Sequence, residues 1–220
     1  MGIDLELTGK TRSRYDRIAG LYDLAEMPAE RLLYTPWRKR LWAGVKGPAV
    51  LEVGVGTGKN MPYYPHDAHI TAIDLSERML SLAQRRARRM GLSVDLRQMD
   101  AQALDFPPDA FDTVVATFVF CSVPDPVLSL RELGRVCKPD GEIRLLEHMR
   151  ARSEAPGRLM DIANPIVVRA MGPNINRRTL ENIGKAGLQI ERAEDLSAQG
   201  IFKLIIAKPG RCQDEARPGT

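Results

Sequence analysis

The stretch VLEVGVGTGKN, Val50 to Asn60, decides how the rest of the chain is read. A short apolar run holding Glu52 leads into Gly54, Gly56 and Gly58, so a buried strand ends in a turn whose backbone reaches φ values that only glycine adopts without strain. Such a turn is either a packing device or the floor of a ligand site. Its spacing disfavours two common ligands. A dinucleotide fingerprint spaces its glycines G-x-G-x-x-G to admit a pyrophosphate, and a Walker loop needs Gly-Lys-Ser/Thr, whereas Lys59 precedes Asn60.

Outward from that turn, Val- and Ile-rich runs alternate with helical patterns. AVLEVG, HITAID, SVDLRQM, FDTVVATFV, EIRLLEH, LQIERAE and IFKLIIAK read as seven strands, separated by segments such as SERMLSLAQRRARRMG and PVLSLRELGRVC. This alternation predicts an α/β fold, a mostly parallel sheet with helices on both faces. Ser76 is the expected N-cap of one helix, Gly91 its stop, and KPDG at Lys138 to Gly141 the stop of another. The link DLSAQG is too short for a helical crossover, so the last strand is expected to run antiparallel. Residues 49–208 form the expected catalytic domain and 209–220 a disordered tail. Residues 1–48 read as two or three short helices, broken at Pro28 and Pro36, lying over the ligand edge of the sheet. In 149–176, Pro156, Pro165 and Pro173 are expected to break any long helix and leave an irregular wall for the pocket.

With 220 residues, 44% of them hydrophobic, the chain can bury one substantial core, and 27% charge argues against a disordered polymer. The net charge of +4 is too small for a charge-dominated nucleic-acid binder, and no aromatic stacking platform accompanies the basic residues, so nucleic acid is not an expected partner. Cys121, Cys137 and Cys212 show neither a disulfide framework nor metal-ligand spacing. No metal is expected. No apolar run approaches the ~20 residues of a membrane span. A reducing, cytoplasmic location is expected, with contact at the inner face of a membrane left open. Oligomeric state is not legible.

The ends of the following strands narrow the ligand. Asp74, with Leu75 beside it, stands 16 residues beyond Gly58, where a carboxylate can take both hydroxyls of a ribose. Asp100, followed by Ala101, ends the third strand, positioned to accept from an exocyclic amino group of a base. Thr117 and Phe118 end the fourth, where their backbone would border the far end of a nucleoside.

LEVGVGTG, TAIDLS, MDAQALDFPPDAFDTVVA and RELGRVCKPDGEI, in that order, resemble the motifs of class I S-adenosylmethionine-dependent methyltransferases over about residues 12–207. The resemblance implies a Rossmann-like fold, methyl transfer, S-adenosyl-L-methionine as cofactor and S-adenosyl-L-homocysteine as product. That cofactor carries no phosphate, and its ammonium and sulfonium charges suit a site edged by Glu52 and Asp74. RYDRIAGLYD (residues 14–23) is similar to the opening segment of the quinone-biosynthesis and phospholipid methyltransferases, which implies that Tyr15 closes over the cofactor. Asp140 departs from the family's usual glycine in a turn before the fifth strand.

The acceptor is less legible. Glu147 and His148 end the fifth strand, and His148 is either a base for the acceptor's proton or a hydrogen-bonded structural histidine. Asn176, Arg177 and Arg178 suit a phosphate or carboxylate, or else begin a solvated helix. Arg31 to Lys46 holds five cations and two tryptophans with no acid. This is the composition of an anionic-membrane interface, or of a helix with its tryptophans packed on the sheet and its cations in water. Resemblance ranks a headgroup amine of phosphatidylethanolamine type first, a small thiol second, and a quinone ring as a further acceptor. A S-adenosylmethionine-binding module without turnover is the non-enzyme alternative.

Overall fold

The computed structural model describes residues 2–170 and 172–210. The expected tail therefore falls, from residue 211 on and including Cys212, outside the described residues. Seven strands form one sheet in the order β3-β2-β1-β4-β5-β7-β6. Central β1 (Ala49–Val53) pairs in parallel with β2 (His69–Asp74) and β4 (Phe111–Thr117), while β3 (Asp95–Gln98) and β5 (Cys137–His148) extend the two sides. β7 (Phe202–Lys208) inserts antiparallel between β5 and β6 (Gln189–Asp195), as the short link requires.

Strand period two builds two cores from the same strands. Leu51, Val53, Val114 and Leu145 face one core with Phe120, Leu130 and Leu133; Val50, Val115 and Leu146 face the other with Leu41, Trp42 and Met61. The order of strands reverses between β1 and β4, and at such a switch point the loops diverge and leave a crevice.

Local chemistry sets the helix ends. Ser76 caps α3 (Glu77–Met90) by accepting from Met79 N at 3.1 Å, and Gly91 closes it at φ 66°. Asp125 caps α4 (Pro126–Val136) through Val127 N and Leu128 N. The expected KPDG stop is displaced: α4 ends at Val136, and Lys138–Gly141 lies inside β5, where pairing jumps from Phe111↔Cys137 to Thr113↔Glu142.

Two expectations fail more plainly. Residues 154–170 form one 17-residue helix, α5 (Glu154–Ala170), in place of an irregular wall. Pro156 sits in its first turn, where backbone N–H groups have no intrahelical partner, and Pro165 is exposed, so water can take the carbonyl it leaves unpaired. The N-terminal segment is a single 25-residue helix, α1 (Leu5–Ala29), then a π turn (Glu30–Tyr34) and α2 (Thr35–Ala43). Pro36 falls in the first turn of α2, where its missing N–H is tolerated, and Pro28 falls in the last turn of α1, immediately before the π turn. A short α6 (Thr179–Lys185) precedes β6. Among the described residues no helix is long and apolar enough to cross a membrane.

Candidate functional site

A cleft opens at the carboxyl ends of β1, β2, β3 and β4. It brings together Tyr15, Gly54, Gly56, Asp74, Leu75, Asp100, Ala101, Thr117 and Phe118, nine of the residues singled out from the sequence. Among its lining residues are two carboxylates and no Lys, Arg or His, which suits a cationic ligand and disfavours a phosphate-bearing one. Asp74 holds the glycine turn itself: Gly56 N donates to its Oδ2 at 2.8 Å and Ser76 N to its Oδ1 at 2.9 Å. Burial pushes the Asp74 carboxyl upward, while these two N–H groups oppose that shift. Each oxygen keeps a lone pair for a ligand hydroxyl. Asp100 accepts from Gln102 N at 2.9 Å and from the Gln102 amide.

Helix α1 straps this edge. Tyr15 OH bonds Ser122 Oγ after β4, Thr8 Oγ1 meets Asp100, and Asp16 accepts from Ser76 Oγ at 2.6 Å. The sequence reading found Tyr15 but missed Asp16, its neighbour in RYDR, and Ser122. The apolar wall of Met79, Met99 and Val123 was not legible either, since apolar residues in a helix, a strand or the loop between them carry no signal beyond core formation.

Seven expected residues do not line the cleft, and four of them, Gly58, Glu52, Glu147 and His148, pack close behind it. Gly58 (φ 82°) packs on Met61, whose Cε lies 2.8 Å from where a Cβ would stand. Glu52 is 1% exposed behind the glycine turn, accepting from Asn60 Nδ2 at 2.5 Å and from Tyr64 OH, and burial raises its carboxyl to about 6. Asn60 also donates to Thr117 Oγ1 at 3.0 Å and accepts from Arg38 Nη1 at 2.9 Å, so Glu52 anchors a buried network joining β1, β4 and α2. Glu147 is fully buried, with Val119 N and Phe120 N donating to one oxygen and the other unpartnered. Burial outweighs those two bonds and pushes its carboxyl to about 8. His148 makes an edge contact with Phe202 (ring centroids 5.1 Å), and burial lowers its pKa. It reaches the cleft-lining Phe118 through Phe202, whose ring is 6.0 Å from that of Phe118.

Arg177 and Arg178 line a separate cavity with Arg150, Arg152 and Lys203. Arg177 Nη2 donates to Val123 O at 2.8 Å, while its buried Nε has no partner. Arg178 pairs with Glu181, and Asn176 donates to Asp161 and does not line that cavity.

The segment Arg31 to Lys46 is not the free cationic face its composition suggested. Trp42 is 2% exposed, and Trp37 packs on Phe202 with centroids 5.2 Å apart. Arg38 is buried in an ion pair with Glu30 (2.9 Å), Arg40 pairs with Glu194 and Lys46 with Glu142. Acids remote in sequence supply the neutralisation that the segment lacks, and the side chain of Arg31 lies outside the described residues.

Residues 51–145 match the family described as Methyltransferase domain. The chain is 46% identical over 123 residues to a phosphatidylethanolamine N-methyltransferase of Cereibacter sphaeroides, covering 54% of this chain and 60% of that protein. It is 30% identical over 142 residues to a ubiquinone/menaquinone biosynthesis C-methyltransferase of Bdellovibrio bacteriovorus, covering 62% of this chain and again 60% of the relative. The chain thus spans less than two thirds of either relative. A geranyl diphosphate methyltransferase solved in complex with S-adenosylmethionine superimposes with a TM-score of 0.67 at 17% identity, covering 86% of this chain and 91% of that one. With the glycine turn, the acid-ended strands and the cation-free cleft already in place, residues 51–145 match a methyltransferase domain and the chain has the fold of the S-adenosylmethionine-dependent methyltransferases.

Proposed function

We propose that the protein moves a methyl group from S-adenosylmethionine to the amine of a phospholipid headgroup of ethanolamine type, working at a membrane surface. The observation that carries this reading is the 46% identity to a phosphatidylethanolamine N-methyltransferase. The cofactor supplies an electrophilic methyl on a positively charged sulfur, and the cleft residues fit it by charge. Gly54 and Gly56 let the backbone come close, Asp74 and Asp100 accept from hydroxyl and amino groups, and Tyr15 with Ser122 closes the strap of α1 against water.

The acceptor approaches beside Phe118, where Tyr34, Trp37 and Phe202 add aromatic faces; Tyr34 and Phe118 have centroids 4.8 Å apart. Ring faces attract an ammonium group and its methylated products. An alkylammonium has to lose a proton before nitrogen can attack, and His148, kept neutral by burial, is the base at that edge. Glu147 is a positioning residue, since it is fully buried outside the cleft lining and one of its oxygens holds the N–H groups of Val119 and Phe120. Arg177, which donates to the carbonyl of the cleft-lining Val123, is the cation assigned to the phosphodiester, while Arg178 would have to leave Glu181 to join it.

A second reading, methylation of a quinone ring, is favoured by the Bdellovibrio relative and suits the same aromatic cluster. Purified protein with methyl-labelled S-adenosylmethionine is offered vesicles containing phosphatidylethanolamine, the same vesicles with a demethylated quinone, or a small-thiol panel. Label in the headgroup amine is expected. Label in the ring or thiol alone overturns the amine.

A further inference from the structure

Helix α5 leaves an apolar row without a protein partner among the described residues. Leu159, Ile162 and Ile166 are 67%, 74% and 73% exposed. At about 100° per residue they fall within roughly 60° of one another on the helix surface. The opposite face is anchored: Ile175 N donates to Asn164 Oδ1 at 2.8 Å, and Gly157 is buried against Arg150. The row is therefore a deliberate outward stripe on a fixed helix.

Arg158 and Arg169, both exposed, lie along one flank of the stripe, about 20° apart on the same projection. Glu154 and Asp161 pair with Arg150, Arg158 Nε lies 3.7 Å from Glu154, and around the start of the helix Arg152 pairs with Asp195 and Arg178 with Glu181; the pairs of Arg158, Arg152 and Arg178 are exposed and therefore weak, so lipid phosphates can compete for these guanidinium groups. The segment that follows the helix leads back to the cleft. Just beyond its end, Gly172 O accepts from Arg14 of α1, and Asn174 N donates to Cys121 O, next to the cleft residue Ser122.

We propose that α5 is the membrane-docking element, its Leu159–Ile162–Ile166 stripe entering the headgroup boundary of an anionic bilayer while Arg158 and Arg169 meet lipid phosphates. Apolar insertion with a cationic flank is the composition of a helix lying in the membrane interface. A second copy of the chain fits less well, because a stable homodimer hides about 800 Å² per partner, more than three side chains supply. The chain leaving α5 returns to the cleft through Gly172 and Asn174, while Trp37, Arg38 and Trp42 of the segment Arg31 to Lys46 pack on the protein. For its purpose the inference rests on the headgroup reading, but the binding itself does not.

Vesicle flotation of the full chain with phosphatidylglycerol-containing and pure phosphatidylcholine vesicles tests it, using Leu159→Ser/Ile162→Ser/Ile166→Ser and, separately, Arg158→Glu/Arg169→Glu. Wild type should float with anionic vesicles and less so at high salt, and each variant should lose about tenfold or more in partitioning. Both should keep wild-type affinity for S-adenosylhomocysteine, which shows that the fold is intact. Wild type remaining in solution, variants floating as well as wild type, or a wild-type dimer that the triple variant dissolves would each overturn the proposal. Docking with no label in the headgroup overturns the acceptor and leaves docking standing. Headgroup methylation in vesicles at an equal rate by the triple variant overturns docking and leaves the acceptor.

Discussion

Glu147 Oε1, at the end of β5, accepts from the backbone N–H of Val119 at 2.8 Å and so fixes the turn that follows β4. The residue before Val119, Phe118, sits at φ 57°, a left-handed conformation that costs a non-glycine residue roughly 1–2 kcal/mol. Glu147 helps hold that strained turn, and with it the ring of Phe118 at the junction of cleft and aromatic cluster.

This pairing predicts a pH signature. The folded carboxyl is raised to about 8 against an ordinary value near 4.5, so the native state binds a proton that the unfolded state releases. Its stabilisation is complete below about pH 4.5, falls as pH rises at up to about 1.4 kcal/mol per unit, and is lost by about pH 8. Glu147→Gln keeps an acceptor for Val119 N and should flatten this part of the stability curve, measured as wild type minus variant by urea unfolding between pH 5 and 8. Glu147→Ala strands two N–H groups and should cost about 2–4 kcal/mol at pH 5, with the difference from wild type narrowing as pH rises. Parallel wild-type and Gln curves would show that Glu147 does not titrate in this range.

Asp74 joins the glycine turn to the N-terminus of α3 and faces the cleft. Replacing it with Ala removes the partner of Gly56 N together with the acceptor for ligand hydroxyls. Affinity for S-adenosylhomocysteine by calorimetry should fall about 30-fold, equivalent to about 2 kcal/mol. Unchanged affinity would place the ribose elsewhere.

The two cleft glycines should separate by phenotype. A Cβ on Gly54 would stand 2.4 Å from Val119 Cγ2, so Gly54→Ala distorts the β1–β4 edge and should lower the thermal midpoint as well as cofactor affinity. A Cβ on Gly56 meets nothing within 4 Å, and its φ of 55° adds only about 1–2 kcal/mol of strain. Gly56→Ala should therefore stay folded. Its methyl group sits on the cleft wall, so S-adenosylhomocysteine affinity should drop by about tenfold or more, beyond what the stability loss explains. Equal affinity with wild type would mean that the ligand does not approach this turn.

The sequence by itself determined the sheet and the edge at which the cleft opens. Seven apolar runs, the spacing of Gly54, Gly56 and Gly58, and acids at the ends of the next two strands are local signals, since each residue's conformation or face follows from its near neighbours. The short link before β7 likewise forced the antiparallel strand, and nine expected site residues meet in one cleft. What local pattern could not carry was partnership across the fold. Arg38, Arg40 and Lys46 looked like a free cationic face because Glu194 and Glu142 lie about 100 or more residues away. Even Glu30, eight residues from Arg38, reaches it only through the π turn. Glu52 and Glu147 looked like site carboxylates because burial is a tertiary quantity. It is the neighbouring strands that desolvate them and direct them to backbone and amide donors. Helix α5 was hidden by two prolines whose cost depends on position: one falls in the first turn and the other faces water, so neither breaks the helix that carries the exposed Leu159, Ile162 and Ile166.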